Sequence, residues 1–573
     1  METIGQYKRD TILTPLFVTL EVAMDIIIPL FMANMIDQGI TGGSMNAVIR
    51  IGLMLVLMCM CSLVSGLLSG WFAAGAATGF AKNLRQRMYY KIQEFSFANI
   101  DTFSTSGLVT RLTTDVTNVQ NAFQMIIRIC ARAPLMIIFS VVMVFSINSR
   151  LAWIFVAIIP VLAVGLAFIM LNVTPIFSKV FKMYDKLNRV VQENLRGIRV
   201  VKSFVREDYE TEKFKSTSGD IYQNFVRAEK ILAFNSPLMQ FCMYACTLLI
   251  CWLGAQMIVS ETFTTGQLVS LLTYAAQILM SLMMLSMVFV MITMSRTSMR
   301  RISEVLNETV DMQNGQIRDV SDGSVHFRDV SFGYRGNKGE LCLRNIDIAI
   351  SSGQTVGIIG GTGSGKSTLT QLIPRLYDVT EGSVAVGGVD VREYDIEALR
   401  EQVAMVLQKN VLFSGTIKDN LRWGKKDASD EEMETACKLA QADAFIRAFP
   451  DGYETRIEQG GNNLSGGQKQ RLCIARALVK KPKILILDDS TSAVDTKTDA
   501  LIRSAFRDEI PDITKIIIAQ RVSSVQEADQ IIVLDDGRVS AIGSHAELLE
   551  TSSIYSEVYE SQQKRGLDHE SAL

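Results

Sequence analysis

The sequence predicts an α-helical domain that crosses a membrane six times, followed by an α/β domain. The chain has 573 residues, 48% of them hydrophobic, and six long apolar stretches lie before residue 300. Beyond Arg300, short apolar runs alternate with amphipathic stretches, which is typical of strands alternating with helices. The formal charge of −2 gives no indication of a nucleic-acid partner.

The apolar stretches are near or above the roughly 20 residues that a membrane-spanning helix needs. They run approximately over residues 12–36, 48–80, 129–147, 151–173, 232–259 and 268–294. Two longer polar segments, 81–128 and 174–230, lie between them and have the pattern of helix, turn and helix. We therefore expect the neighbouring spans to continue well beyond the bilayer.

Basic residues predict the orientation of these spans. Segment 81–128 holds six Lys or Arg and segment 174–230 holds twelve, whereas the loops 37–47, 148–150 and 260–266 hold one between them. By the positive-inside rule, the two long segments, both termini and the α/β domain are cytoplasmic. We expect a multi-pass protein of the plasma (inner) membrane.

A glycine-rich run in the α/β domain has the pattern of a phosphate-binding loop. It follows the apolar stretch 355–359, which has the pattern of a buried strand, and precedes a helical pattern. In such a loop the backbone N–H groups face phosphate, the lysine reaches the outer phosphates and the serine ligates magnesium. The candidate residues are Gly360, Gly361, Thr362, Gly363, Ser364, Gly365, Lys366, Ser367 and Thr368.

Two further motifs follow at a distance. The turn Ser465-Gly466-Gly467-Gln468 opens an amphipathic stretch and offers a second set of backbone donors for phosphate at a helix N-terminus. Asp488 ends the apolar run 484–487, where a carboxylate at the carboxyl end of a strand can hold magnesium through water.

Together, the order and spacing of these motifs resemble the nucleotide-binding domain of ATP-binding cassette (ABC) proteins, and the whole chain resembles an ABC exporter half-transporter. The resemblance implies an α/β P-loop NTPase domain of the ABC type that uses ATP and Mg²⁺. We divide the chain into a transmembrane domain (1–300), a linker (301–324), a nucleotide-binding domain (325–562) and a polar tail (563–573). Coupling helices are expected at the tips of the long segments, near 102–108 and 206–212.

The resemblance also implies roles for single residues. Tyr334 would stack on adenine, and Gln408 would be the Q-loop residue that senses magnesium and the attacking water. Ser367 and Asp488 would hold Mg²⁺ together with Gln408. Without their register with the glycine-rich loop, a tyrosine such as Tyr334 is usually a packing residue and a glutamine such as Gln408 usually lies in a surface turn.

The signature turn would act on a second protomer, because two domains of this family enclose two ATP molecules. Ser465 and Gly467, with Gly466 and Gln468 in the same turn, would contact the γ-phosphate of a nucleotide held by that protomer. Asp495 ends the D-loop sequence 492–495, which would lie across the same interface.

Two residues depart from the family pattern. Asp489 stands where the family has the Glu that polarises the attacking water, and Gln520 stands where it has the switch His. Aspartate loses one methylene of reach, and glutamine cannot carry a proton. A misplaced acid–base group typically costs about 10²- to 10⁴-fold in rate. Drift in a slow but working site is the alternative.

Two changes in one site resemble the degenerate half of heterodimeric ABC exporters, and this resemblance implies that the chain's own hydrolytic site is weakly active or inactive. The partner would be a second ABC half-transporter that has the catalytic Glu and the switch His. A small amphiphile, as in multidrug efflux, is the expected substrate. A lipid or peptide exporter, or a regulatory ABC protein that gates a channel, remain alternatives.

Candidate substrate contacts lie in the spans. Met280, Met284, Met287 and Met291 are spaced by four, three and four residues and so share one helical face, which suits either packing or a pocket for apolar compounds. Glu21 and Asp25 share a face of the first span, and Arg128 and Arg132 share one near the start of the third. The acids either pair with these arginines or form a cavity wall that attracts cationic amphiphiles.

Overall fold

The computed structural model of the chain describes residues 4–334, 340–489 and 494–570. It divides into two compact units. The first comprises Met1–Glu94 and Phe103–Glu308, and the second comprises Phe95–Thr102 and Thr309–Leu573. The chain therefore contributes one short segment to the second unit, returns to the first unit at Phe103, and remains in the second unit from Thr309 onward.

The first unit is helical, and its helices carry the six predicted spans. Within the described residues, six helical segments are long and apolar enough to cross a membrane, as the sequence predicts. The helices up to residue 307 are α1 (Lys8–Asn34), α2 (Met45–Gln93), α3 (Phe97–Thr102), α4 (Thr105–Thr110), α5 (Val116–Ile147), α6 (Ser149–Arg196), α7 (Ile198–Ser203), α8 (Glu207–Leu232), α9 (Asn235–Val259) and α10 (Thr265–Asn307). Only α3 belongs to the second unit.

Side chains from α10 stabilise a break in the hydrogen bonding of α1. Pro29 lies inside α1 and cannot donate to the carbonyl of Asp25, four residues earlier. That carbonyl accepts a hydrogen bond from Gln277 Nε2 at 3.2 Å, and the next carbonyl, of Ile26, accepts one from the Tyr274 hydroxyl at 2.6 Å. The first and sixth spans are therefore joined by polar contacts, one of them at the backbone carbonyl that Pro29 leaves without its helical donor.

The second unit contains two main sheets. Its strands are β1 (Val325–Phe332), β2 (Leu343–Ile350), β3 (Thr355–Gly360), β4 (Glu381–Val386), β5 (Val389–Asp390), β6 (Val403–Val406), β7 (Gly415–Thr416), β8 (Arg456–Ile457), β9 (Ile484–Asp488), β10 (Thr514–Ile518), β11 (Gln530–Asp535) and β12 (Arg538–Gly543). Its remaining helices are α11 (Lys366–Gln371), α12 (Ile396–Gln402), α13 (Ile417–Leu421), α14 (Asp430–Leu439), α15 (Asp443–Arg447), α16 (Gly466–Val479), α17 (Thr496–Glu509), α18 (His545–Thr551) and α19 (Ser553–Glu570).

The larger sheet has the order β12-β11-β3-β10-β9-β6 and is parallel except for β12. Its strands are buried on both faces: Ile484 and Ile486 belong to one hydrophobic core, and Leu485 and Leu487 to the other. The other main sheet, β2-β1-β4-β5, is antiparallel. In open parallel sheets, ligands bind at the carboxyl ends of the strands, and the glycine-rich loop and Asp488 both lie there.

The segment Phe95–Thr102 packs on the rest of the second unit by specific contacts. The Tyr377 hydroxyl donates to Asp101 Oδ2 at 2.7 Å, and the ring of Phe97 lies 6.1 Å from that of Tyr377. Asn99 Nδ2 donates to the backbone carbonyl of Thr309 at 3.0 Å. This segment ends where the first expected coupling helix begins.

Two helices run across boundaries drawn from the sequence. Helix α10 extends to Asn307, so the expected boundary between residues 300 and 301 falls inside a helix. Helix α19 continues from the expected nucleotide-binding domain into the polar tail, to Glu570.

Candidate functional site

The glycine-rich loop connects β3 to α11 and leaves open space in front of its backbone. Gly363 and Gly365 adopt φ angles of +87° and +93°, which side chains other than glycine rarely adopt. A Cβ added to Gly361 or Gly363 would meet no atom within 4 Å. A Cβ at Gly360 would meet the Leu534 carbonyl at 2.1 Å, so the sheet requires glycine there.

One side chain in this loop is buried without a partner. Ser364 is 5% exposed, and within the described part of the chain its Oγ has no hydrogen-bond partner. A buried hydroxyl without a partner is energetically costly. It is a polar atom at the loop that a bound group can satisfy.

Lys366 is the first residue of α11, and its side chain folds back over the loop. Nζ donates to the carbonyls of Gly360 at 2.8 Å and Gly361 at 2.7 Å. Burial lowers the pKa of the Lys366 ammonium, and the charges of Asp488 and Asp489 act in the opposite direction. The ammonium is therefore bonded to the loop and is affected by the charges of two nearby carboxylates.

Ser367 and Asp488 meet at the carboxyl end of β9. The Ser367 hydroxyl donates to Asp488 Oδ1 at 3.0 Å, and Asp488 is 4% exposed. Burial raises the pKa of Asp488, and the hydrogen bond from Ser367 partly offsets this. A hydroxyl and a buried carboxylate at this distance are the oxygen ligands that Mg²⁺ prefers.

Asp489 and Gln520 contact each other directly. Gln520 Nε2 donates to Asp489 Oδ2 at 2.9 Å. Asp489 has a φ of 49°, in the left-handed region, and its N–H donates to the Ile518 carbonyl at 3.0 Å. Burial raises the pKa of the Asp489 carboxyl, against a hydrogen bond from Gln408, the Lys366 and Arg521 charges and the Gln520 amide.

Tyr334 lies beside the same loop. Its hydroxyl is 2.9 Å from Thr368 Oγ1, on α11, and its ring packs edge-on against Phe332 and Tyr377 at centroid distances of 5.1 and 5.2 Å. Tyr334 remains 44% exposed. The Tyr334 ring is thus packed against two aromatic neighbours and still has a large exposed fraction.

The residues Ser465 to Gln468 form the N-terminus of α16. The Ser465 hydroxyl accepts from the Gln468 N–H at 3.3 Å, and the Gln468 side chain accepts from the Ser465 N–H at 2.9 Å, which is a capping box. Ser465 and Gly466 are exposed, whereas Gly467 is half-buried. The capping box therefore fixes the helix end through the N–H groups of Ser465 and Gln468, and it does not use the N–H groups of the two glycines between them.

Asp495 caps the next helix and lies near α16. Its Oδ1 accepts from the Thr498 N–H at 2.9 Å, which is the main cause of the lowered pKa of Asp495. Its charge also acts on Arg471 of α16, where burial lowers the pKa. Of the expected D-loop, Ser492 and Ala493 lie outside the described residues.

In the first unit, Arg132 contacts both acids of the first span. Its guanidinium forms a salt bridge with Glu21, Nη1 to Oε1 at 3.0 Å, and donates a hydrogen bond to Asp25 Oδ2 at 2.9 Å. Ser62 donates to Asp25 Oδ1 at 2.8 Å. Glu21 is 8% exposed and packs on the second span, where a Cβ added to Gly66 would lie 3.3 Å from its Oε1. The contacts match a cluster that holds the first and third spans together.

The methionines of the sixth span are exposed in the single chain. Met280, Met284 and Met287 are exposed, and Met291 is half-buried. They lie on α10, as the spacing predicts.

Two family models match most of the chain. One, for the ABC transporter transmembrane region, matches residues 11–283, and one for the ABC transporter matches residues 343–492. The chain is 38% identical over 543 residues to YfiB of Bacillus subtilis, an uncharacterized ABC transporter ATP-binding protein, covering 95% of this chain and 94% of YfiB. It belongs to the ABC transporter family.

Other relatives agree with this assignment. The chain is 34% identical over 566 residues to Rv1273c of Mycobacterium tuberculosis, an uncharacterized ABC transporter ATP-binding protein, covering 98% of this chain and 97% of Rv1273c. The structure of a bacterial Atm1-family ABC exporter with ATP bound superposes with a TM-score of 0.83 at 26% identity, covering 97% of this chain and 99% of that one.

This ABC exporter half-transporter is therefore a multi-pass membrane protein with an ATP-hydrolysing domain that uses ATP, typically with Mg²⁺. Half-transporters of this family typically dimerise within a lipid bilayer. The predicted fold class, six spans and an α/β P-loop domain of the ABC type, is confirmed.

Sequence analysis did not single out Gln562 or Tyr377, which contact the site or its neighbours. Gln562 Nε2 donates to the Gln520 carbonyl at 2.8 Å, and the Tyr377 ring packs against Tyr334. Neither residue belongs to a motif. Only the tertiary contacts identify them.

Proposed function

We propose that this ABC exporter half-transporter is one subunit of a heterodimer. It binds ATP at its own loop, hydrolyses it slowly, and supplies its signature turn to the competent site of a partner half-transporter. The observation that carries the proposal is the contact between Asp489 and Gln520, because the two departures from the family pattern meet at 2.9 Å in one pocket.

The described residues fit ATP and Mg²⁺. The open space at Gly361 and Gly363 and the unpartnered Ser364 hydroxyl suit a phosphate chain. Lys366 would exchange its two loop carbonyls for phosphate oxygens, and Ser367 and Asp488 would hold the metal. Gln408, which hydrogen-bonds the neighbouring Asp489, would join them. Bound Mg²⁺ would neutralise negative charge on the phosphates.

The slow rate follows from what the two side chains can do. Asp489 has a carboxylate one methylene shorter than Glu, and misplacement by about 1 Å can cost roughly a hundredfold in rate. In the structure this carboxylate accepts a hydrogen bond from an amide, which can orient it but cannot take a proton from it. We infer a pocket that retains ATP and seldom cleaves it.

The signature turn supports the second half of the proposal. Ser465 and Gln468 form a complete capping box, so α16 begins in an ordered conformation before any partner binds. Its exposed N-terminus presents backbone donors and the positive end of the helix dipole. The helix end would therefore complete the binding site of a nucleotide that is held by the partner's glycine-rich loop.

We further propose a small apolar or amphiphilic substrate and a cytoplasmic nucleotide domain in the plasma membrane. Exposed, flexible side chains at Met280, Met284 and Met287 suit a surface that adapts to many apolar shapes. The pairing of Glu21 and Asp25 with Arg132 favours a structural role for the two acids over attraction of cations.

ATPase activity of the purified chain, alone and in complex with its native partner, tests the heterodimer proposal. We expect little turnover alone, a large increase in the complex, and little effect of Asp489→Asn in the complex. Brisk turnover by the chain alone that Asp489→Asn abolishes would contradict the division of labour.

Transport is tested separately in inside-out vesicles from cells that make both subunits. We expect ATP-driven uptake of an amphiphilic dye. Nucleotide-gated ion current without dye uptake would instead favour a channel-gating role.

A further inference from the structure

A side chain from the C-terminal helix holds the backbone on both sides of Arg521. Gln562 Nε2 donates to the carbonyl of Gln520 at 2.8 Å, and Gln562 Oε1 accepts from the N–H of Val522 at 2.9 Å. In an extended segment these two backbone groups point to the same side, and Arg521 is extended with φ −99° and ψ 127°. The amide thus takes the place of a neighbouring strand.

The helix that carries Gln562 is itself fixed to the domain. Tyr555 of α19 is fully buried in the same hydrophobic core as Val522 and Val525, and its hydroxyl lies 2.7 Å from His545 Nδ1. Tyr555, Tyr559 and Gln562 are four and three residues apart, so they share one helical face. Burial of that face aims the Gln562 amide at residues 520–522.

Contacts continue from this backbone to the nucleotide pocket. The side-chain amide of Gln520 donates to Asp489 Oδ2, and the backbone carbonyl of Gln520 accepts from Gln562. Gln520 is therefore held at its side chain by Asp489 and at its backbone by Gln562. A shift of the 520–522 backbone would change the distance between Gln520 and Asp489 directly.

We propose that Gln562 is a positioning residue that sets the distance between Gln520 and Asp489 in the nucleotide pocket. The inference rests on the proposed function insofar as Gln520 and Asp489 act on nucleotide. The contact itself does not depend on that function. Helix α19 thereby becomes part of the machinery that controls how long this subunit retains ATP.

Hydrolysis of pre-bound, radiolabelled Mg·ATP in a single turnover by the full-length chain tests the proposal, since a slow site remains measurable over long times. We expect Gln562→Ala to slow this step roughly three- to tenfold, as loss of a pair of neutral hydrogen bonds allows, with the Kd for ATP changed by less than about twofold. In a Gln520→Ala background the same substitution should have almost no effect.

Gln563→Ala is the matched control, because Gln563 Nε2 donates to Tyr559 on its own helix at 2.6 Å. It should leave both quantities unchanged. Gln562→Glu keeps the acceptor for Val522 and loses the donor to Gln520, so it should give an intermediate rate. Equal slowing by Gln562→Ala with and without Gln520 would overturn the proposal.

Amide hydrogen exchange over residues 519–526 separates this inference from the proposed function. Gln562→Ala should speed exchange there in the full-length chain, and Gln563→Ala should not. Unchanged exchange overturns the positioning role whatever the hydrolysis rate. Faster exchange with a uniform effect on hydrolysis in both backgrounds assigns Gln562 to stability alone and also overturns it.

Discussion

The nucleotide-binding unit has two regions proposed to bind phosphate, and they differ in how their side chains are used. Around the glycine-rich loop, side chains contact the loop or one another. Lys366 bonds to the loop, Ser367 bonds to Asp488, and Gln520 bonds to Asp489. At the start of α16, the capping side chains of Ser465 and Gln468 hydrogen-bond the backbone of their own turn. The first region has the side chains of a complete nucleotide pocket, whereas the second presents only one wall of a pocket that a partner would complete.

This difference bears on where sequence change is tolerated. Both departures from the family pattern lie in the first region, and the second keeps every expected residue. A subunit that has delegated hydrolysis can change its own pocket but must keep the surface that its partner uses. We therefore expect the two regions to respond in opposite ways to substitution.

The largest expected effect is at the signature turn. Ser465→Asp keeps a good N-cap residue but places a carboxylate where the partner's γ-phosphate would bind. We expect the ATPase rate of the heterodimer to fall roughly 10²- to 10³-fold, which is typical of losing phosphate stabilisation.

Ser544→Asp is the matched control for that substitution, because Ser544 forms the same kind of capping box at α18. It should leave the rate within about twofold. An equal loss in both variants would mean that helix capping, and not phosphate contact, is responsible.

A smaller effect of opposite sign is expected in the other region. Asp489→Glu combined with Gln520→His restores the acid–base groups of the family, so we expect turnover at this chain's own pocket to rise about tenfold or more. Measurement is by ATPase assay of a heterodimer whose partner site has been inactivated.

The control for backbone strain is Asp536→Glu, since Asp536 has a comparable φ of 43°. If that substitution unfolds the unit as readily as Asp489→Glu does, the left-handed backbone explains why aspartate and not glutamate stands at position 489. If the double variant folds and gains no activity, the two residues do not explain the slow site.

In the membrane unit, Arg132→Met should destabilise the chain. It leaves Glu21 and Asp25 without their cation, and because Arg132 is partly exposed we expect roughly 3 kcal/mol, the lower end for breaking a buried pair. Thermal unfolding in detergent measures this, with Arg150→Met as the exposed control.

Restoration of stability by adding Glu21→Gln and Asp25→Asn would confirm the pairing. Arg132→Met with unchanged stability and increased transport of cationic dyes would instead identify the acids as a cavity wall.

The smallest expected effect comes from Tyr377→Phe. It removes the hydroxyl that donates to Asp101 and keeps the ring that packs on Phe97 and Tyr334. Loss of one such bond should cost about 1 kcal/mol and lower the thermal midpoint by about 2–4 °C. A loss as large as that of Tyr377→Ala would show that the hydroxyl carries more than this bond.

Local sequence patterns predicted much of the framework. The apolar runs 355–359 and 484–487 are strands β3 and β9, which extend one residue further, to Gly360 and Asp488. The six apolar stretches are helices, since periodicity and length determine these elements within a few residues of sequence.

Contacts between distant residues were beyond those patterns. Nothing local assigns Phe95–Thr102 to the second unit, and Gln562 reaches Gln520 across 42 positions. Arg132 contacts Glu21 and Asp25, although Arg128 also lies near the second span, at Gly70, and only packing distinguishes the two arginines. The left-handed backbone at Asp489 and its hydrogen bond to Ile518 of β10 likewise do not follow from the local sequence.

The fate of ATP bound to this subunit tests the central claim most directly. The heterodimer is purified through a tag on this chain, allowed to turn over photoreactive ATP labelled on either the α- or the γ-phosphate, and crosslinked. We predict equal α and γ label on this chain, and α label alone on its partner. Loss of γ label from this chain at the overall turnover rate would contradict the account.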